Sequence, residues 1–292
     1  MSEDKLVSYE ESRARLFGLA YRMLGEAAEA EDVLQDAYLR WADSGPVEVP
    51  AAWLTKAVTN LCLTRLSSAR ARRERYVGPW LPEPVFTDDG QLGPLETVEQ
   101  RDSVSVGLLV LLERLTPAER AAFVLREAFG YPHADIAEVL DVPEARVRQL
   151  YRRAREHVRE PRRRFDSDPQ QCAEIVHRFL AAATEGDVAG LERLLAKDVV
   201  SWSDGGGAVS AARRPVTGAD RVSRLLVGFA THPRAAGAVL DVRLVNGAPA
   251  IVGRLGGELV AVLHLEIEDG QVQAVHNVVN PAKLAFAAAQ PM

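Results

Sequence analysis

Residues 133–158 read HADIAEVLDVPEARVRQLYRRAREHV. Two stretches of helical period, His133 to Leu140 and Glu144 to about Val158, are separated by Asp141-Val142-Pro143, where the proline breaks the pattern. Ile136, Ala137 and Leu140 are set to face Val147, Leu150 and Ala154, which predicts a helix-turn-helix. Opposite that stripe, Arg148, Arg152, Arg155 and Arg159 recur at i, i+4, i+7 and i+11. A second helix with an arginine face can enter a DNA major groove, so Arg146, Arg148, Gln149, Arg152 and Arg153 are candidate DNA contacts. Arginine can bond guanine bidentately and glutamine adenine, while the remaining cations take phosphate.

Working outward, Thr116-Pro117-Ala118-Glu119 is a capping box with proline at the first helical position, a start signal for the helix before this pair. Residues 101–164 are therefore expected as one helical domain. Upstream, residues 76–100 hold four prolines and three glycines, the composition of a linker. Within it, Trp80-Leu81-Pro82-Glu83-Pro84 is apolar enough to dock. Residues 8–75 read as helices. One carries Leu34, Ala37, Tyr38 and Trp41 on one face and Asp32, Gln35, Asp36 and Arg40 on the other; residues 43–50 form a loop; a helix from Ala51 runs into a basic cluster of Arg65, Arg70, Arg72, Arg73 and Arg75. Past Pro169 the pattern becomes α+β, with helices near 170–185, 187–196 and 218–230 and strands near 198–203, 238–245, 249–255, 258–267 and 271–279. The last two strands form a hairpin pairing Ile267 with Val272, a register that places His264 and His276 on opposite faces.

The chain of 292 residues has a net charge of −6, which by itself argues against nucleic acid. The charge is unevenly spread: residues 144–164 contain nine arginines, and a basic stripe on an acidic body touches polyanion locally. The polar N-terminus has no signal-peptide core, and the apolar run Val106 to Leu112 is too short for a bilayer. A cytoplasmic protein with no membrane association is expected. Cys62 and Cys172 are distant from each other and fit no metal-spacing pattern, so reduced thiols and no metal site are expected.

Two further segments resemble a known family. Ala30-Glu31-Asp32-Val33-Leu34-Gln35-Asp36-Ala37-Tyr38 and Trp53-Leu54-Thr55-Lys56-Ala57-Val58-Thr59-Asn60 are similar to region two of extracytoplasmic-function sigma factors of RNA polymerase. Leu115 to Arg120, with the helix-turn-helix, resembles region four. The resemblance implies that Asp32, Gln35 and Asp36 meet core RNA polymerase. It also implies that Trp53, Lys56, Asn60 and Arg65 handle the melted promoter element, and that region four reads the upstream element. Trp80-Leu81-Pro82-Glu83-Pro84, Asp204-Gly205-Gly206-Gly207 and Asn280-Pro281-Ala282-Lys283-Leu284 resemble the signatures of members with a fused C-terminal SnoaL-like domain. That implies a regulatory contact through Trp80, Leu81, Pro82, Asp204, Gly205, Gly206, Gly207, Asn280, Pro281 and Lys283. Relatives commonly carry lysine after the glycines where this chain has Ala208, so that contact is missing here or is replaced by Arg213 or Arg214.

The expected architecture is multidomain: two all-α sigma domains, a region-two helical bundle over 8–75 and a region-four helix-turn-helix over 101–164. A SnoaL-like α+β cone with a curved, mainly antiparallel sheet follows over 169–286. The partners implied are core RNA polymerase and promoter DNA, with room for a small-molecule ligand of the C-terminal domain and no requirement for a separate anti-sigma factor. No catalytic residue and no cofactor are expected. One alternative is a bifunctional protein whose C-terminal domain is an isomerase or cyclase, with Trp202, Asp204, His264 and His276 as its candidate residues; another is a plain helix-turn-helix regulator.

Overall fold

A computed structural model describes residues 3–73, 75–87, 92, 98–158 and 169–291. The chain divides into two units, one made of residues 1–75 and 89–162 and the other of 76–88 and 163–292. The segment that follows region two thus belongs to the C-terminal unit, and the chain then returns to complete the helical one.

In the helical unit α1 (Glu3–Leu24), α2 (Ala27–Asp43) and α3 (Pro50–Arg73) pack together. Leu16, Leu19, Met23, Leu34, Trp41, Leu54 and Val58 are buried at helical spacing. Lys5 fastens the end of α2: its Nζ donates to the Trp41 carbonyl at 3.1 Å and to the Ser44 carbonyl at 2.5 Å, and it lies 5.2 Å from the Trp41 ring. A cation at a helix C-terminus satisfies carbonyls that have no partner within the helix. After α4 (Val98–Asp102) and α5 (Val106–Leu112), α6 (Pro117–Glu127) opens with both halves of the capping box formed by Thr116 and Glu119. The helices α7 (His133–Leu140) and α8 (Glu144–Val158) follow. Asp141 ends α7 in the left-handed conformation, φ 54°, and the Val142 amide bonds back to the Ala137 carbonyl at 3.1 Å. Aspartate tolerates that conformation better than most residues, which sharpens the turn. Ile136 and Val139 are the buried residues of α7, against Val147, Leu150, Ala154 and Val158 of α8; Ala137 and Leu140 are half-buried.

In the C-terminal unit α9 (Pro169–Glu185), α10 (Val188–Leu194) and α11 (Ala219–Ala230) accompany a six-stranded sheet. Its strands are β1 (Leu195–Asp204), β2 (Val216–Thr217), β3 (Val239–Val245), β4 (Ala248–Leu255), β5 (Glu258–Glu268) and β6 (Gln271–Val278). Their order is β2-β1-β6-β5-β4-β3, antiparallel except between β1 and β6. Phe179, Leu191, Val199, Val222, Ile251, Leu265 and Val275 form the core between the helices and one sheet face. A terminal helix α12 (Pro281–Ala289) starts on Asn280, whose side chain accepts from the Ala282 amide, with Pro281 in the first turn.

The β5–β6 hairpin corrects one expectation. Ile267 does pair with Val272, but a bulge between Glu266 and Ile267 shifts the register, so Glu266 faces Ala274 and His264 faces His276 directly. One extra residue transfers every side chain beyond it to the other face. His264 and His276 therefore share a face, on the opposite side of the sheet from the apolar core.

Candidate polymerase, promoter and regulatory surfaces

Asp32 and Gln35 are exposed on α2 and Asp36 is half-buried beside them. The structure ties this face to α3. Arg65 Nη2 lies 2.8 Å from Asp36 Oδ2, and its Nη1 lies 3.6 Å from Asp32 Oδ2. The two groups of residues treated separately in the sequence thus meet through one arginine. Trp53 is half-buried, with its ring 5.3 Å from that of Trp41. Lys56 and Asn60 are exposed, and Lys56 Nζ donates to the Glu138 carbonyl at 2.8 Å.

The basic cluster at the end of α3 is only partly a surface feature. Arg73 is largely buried, bonded to Glu26, Glu113 and the Leu24 carbonyl. Its expected place on a polyanion-binding stripe is therefore corrected, because its charge is already matched inside the protein. Burial lowers its pKa to about 10, which still leaves it charged at neutral pH.

On α8, Arg146, Arg148, Arg152 and Arg153 are exposed and Gln149 is half-exposed. Arg146 bonds Gln149 at 2.6 Å and Arg148 bonds Glu144 at 2.6 Å. These one-turn pairs hold long side chains extended on the outer face, at little energetic cost to exchange. Arg155 lies 5.9 Å from the Tyr151 ring. Arg159, Arg162, Arg163 and Arg164 lie outside the described residues.

The third surface lies wholly within the C-terminal unit, and Asp204 is its centre. This carboxylate, 0% exposed, accepts from Tyr76 Oη at 2.5 Å and from the Leu81 amide at 2.8 Å. It also pairs with Lys283 Nζ at 2.8 Å and accepts from the Gly206 amide at 3.1 Å. Lys283 in turn donates to the Leu81 carbonyl and lies 4.1 Å from the Trp80 ring centroid. A buried ammonium needs a carboxylate, further acceptors or an aromatic face, and this one has all three.

The glycines explain how the segments come so close. At Gly206, φ 57°, an added Cβ would lie 2.2 Å from Asn280 Nδ2 and 3.0 Å from Tyr76 Oη; at Gly207, φ 77°, it would lie 3.3 Å from Val77. Asn280 serves two elements, capping α12 with Oδ1 and donating from Nδ2 to Tyr76 Oη at 2.7 Å. Leu81 and Pro82 are buried and Trp80 half-buried, while Pro281 at the start of α12 is exposed. Arg213 and Arg214 are also exposed.

Sequence reasoning missed the rest of the seat. Phe86 exchanges two hydrogen bonds with the Gln290 side chain, at 2.8 and 3.0 Å, and bridges Val245 at the end of β3. Val85 pairs with Asn246. Isolated glutamines and asparagines carry no sequence pattern, so nothing marked them; Tyr76, four residues before Trp80, had only its proximity.

The histidine pair fits poorly with acid–base chemistry on an external substrate. His264 and His276 are 6% and 3% exposed, and Trp202 stacks on His276 at 5.0 Å. Burial, then the neighbouring His276, lowers the pKa of His264 to about 3; burial lowers that of His276 against the opposing effect of Glu266, 3.4 Å from Nδ1. Both are neutral in the fold near pH 7. The unfolded chain takes up protons first as pH falls through about 6.5, so stability is lost from there downward. The C-terminal unit should lose about 1.4 kcal/mol per pH unit through His264 between pH 6 and 4, and His276 adds to the loss in the same direction. Thermal unfolding of wild type and His264→Gln at pH 7, 6, 5 and 4 checks this: the variant should show the shallower fall, and equal slopes would refute the assignment. Among the described residues no cluster of metal-ligating side chains occurs, and no helix is long and apolar enough to cross a membrane.

Comparison with known proteins agrees with this arrangement. Residues 8–72 match the model of sigma-70 region 2 and residues 105–158 that of sigma-70 region 4. These two matches, in this order, define a sigma factor of the sigma-70 class. Over 286 residues the chain is 38% identical to the ECF RNA polymerase sigma factor SigJ of Mycobacterium tuberculosis, covering 94% of this chain and 91% of that one. It is 34% identical over 278 residues to the probable ECF sigma factor SigI of the same species, covering 93% and 92%. The crystal structure of SigJ matches with a TM-score of 0.78 and 35% identity, over 98% of this chain and 100% of that one. The chain belongs to the extracytoplasmic-function RNA polymerase sigma factors, and the match to SigJ extends through its C-terminal α+β domain. It is a transcription-initiation factor and not an enzyme, and its partners are core RNA polymerase and promoter DNA.

Proposed function

We propose that this sigma factor acts in the cytoplasm and is regulated in cis, its C-terminal domain gripping the segment that joins region two to region four, with no separate anti-sigma factor required. The observation that carries this reading is the buried Asp204 carboxylate, shared among Tyr76, the Leu81 backbone and Lys283. A segment that is held cannot adjust the reach between two promoter-binding domains. A signal that weakens the grip shifts the population toward the free-linker state, by as much as its differential affinity for the two states. Hydrogen exchange at the Leu81 amide tests the grip. Exchange should be slow in the wild type and at least about tenfold faster in Lys283→Met, which removes the charged partner of Asp204. Equal exchange would remove the physical basis of the proposal.

In the same reading Asp32, Gln35 and Asp36 meet the polymerase, and Trp53, Lys56, Asn60 and Arg65 meet the melted strand. Arg146, Arg148, Gln149, Arg152 and Arg153 meet the upstream duplex. The exposed arginines of α8 separate into two behaviours. Replacing one that reads a base, with Arg148 first among the candidates, should cost about 1–3 kcal/mol and relax preference at one position. Replacing Arg155 should weaken all sequences alike. Binding of a panel of single-base promoter variants distinguishes these, and identical behaviour of both substitutions would remove base readout from this helix.

A further inference from the structure

Within the helical unit, region four rests directly on region two, and the contact is built from buried arginines. Arg120, on α6 and 2% exposed, donates to the Met23 carbonyl at the end of α1 at 2.7 Å and to the Leu112 carbonyl at 3.1 Å. It shares Glu113 with Arg73 at the end of α3. Arg22 of α1 bonds Ser103 at 2.9 Å and lies 5.4 Å from the Phe129 ring. One carboxylate between two guanidiniums, with backbone carbonyls filling the other donors, satisfies charges that would be costly to bury alone.

The contact also covers part of α3. Tyr131 Oη takes a hydrogen bond from Arg15 at 2.7 Å and reaches Thr55 Oγ1 at 3.2 Å. One residue on, Lys56 Nζ is held at the Glu138 carbonyl in the last turn of α7, where helix carbonyls attract a cation. Lys56 is one of the cations assigned above to the melted strand.

We infer that region four is a competitive cover of the single-strand surface of region two: the closed contact and a melted DNA strand take the same lysine, and region four must separate from α3 before the strand can seat. The inference rests on the assignment of that surface to Lys56 and Asn60. Closed and strand-bound forms then exclude each other, so the apparent affinity of the free protein for single strands is lowered by the fraction that is open. The Glu113 network sets that fraction.

The test uses the full chain and a fluorescent single-stranded oligonucleotide of mixed sequence. Tyr131→Phe removes two hydrogen bonds while keeping the ring, and Glu113→Gln removes the shared carboxylate charge. Each should raise oligonucleotide affinity about five- to tenfold. In parallel, energy transfer between labels at the exposed positions 48 and 145 should fall. Reduced transfer with unchanged affinity overturns the inference, as does unchanged affinity of both variants with transfer intact. Should Glu113→Gln fail to fold, Tyr131→Phe decides alone. The underlying assignment is read separately from Asn60→Asp in the Tyr131→Phe background. The added negative charge should lower affinity again, and no effect there would refute the location of the single-strand surface and not the closed contact.

Discussion

Replacing Asp32 and Asp36 together with lysine is expected to abolish capture of core RNA polymerase, a loss of at least about a hundredfold, since apposed like charges at an interface cost several kcal/mol. The fold should survive. Asp32 is exposed and Asp36 half-buried, and their ion pairs with Arg65 are partly solvated, worth at most about 1 kcal/mol together. The pairing predicts a graded series. Arg65→Ala leaves both carboxylates but frees Asp36, so it should weaken capture only a few-fold. Pull-down with purified core polymerase, accompanied by thermal unfolding of each variant, measures both. Undiminished capture by the double lysine variant would place the polymerase contact on another surface.

The second large effect is at Asp204. Asp204→Ala removes the carboxylate partner of the buried Lys283 ammonium, and breaking a buried pair from one side costs about 3–5 kcal/mol. The C-terminal unit should therefore unfold at a much lower temperature than in the wild type. Adding Lys283→Met to Asp204→Ala removes the stranded charge and should recover part of the loss. A double variant no more stable than the single one would show that the pair itself contributes little.

Much of this architecture was legible in the sequence. The start of α6 and the bounds of α7 and α8 were readable because Thr116, Glu119, Pro117 and Pro143 act locally, through caps and fixed dihedrals. Five of the six strands of the C-terminal domain were readable from alternation and turn residues, whereas β2, only two residues long, is too short to show any alternation. The β5–β6 register past Glu266 was not, since a bulge leaves hydrophobic alternation intact on either side and only shifts its phase. That single residue decided whether His264 and His276 meet. Buried charge was equally invisible. Arg73 reads like its neighbours in a basic cluster, and only tertiary packing against Glu26 and Glu113 distinguishes it. Asp204 sits in a glycine-rich turn where aspartate is ordinary, and its importance lies in three partners from distant parts of the chain. The family resemblance singled it out; the physical reason came from the fold.

In the proposed mechanism, the linker's seat on the C-terminal domain sets the activity of the sigma factor. Runoff transcription measures this most directly, from a linear promoter template with purified core polymerase and this chain as the only other protein. Wild type is compared with Asp204→Asn/Lys283→Met, which loosens the seat without leaving a charge unpaired. Output should be at least about fivefold higher from the double variant at equal polymerase occupancy, within the usual range of coupling between sites. Equal output from the two proteins would contradict it.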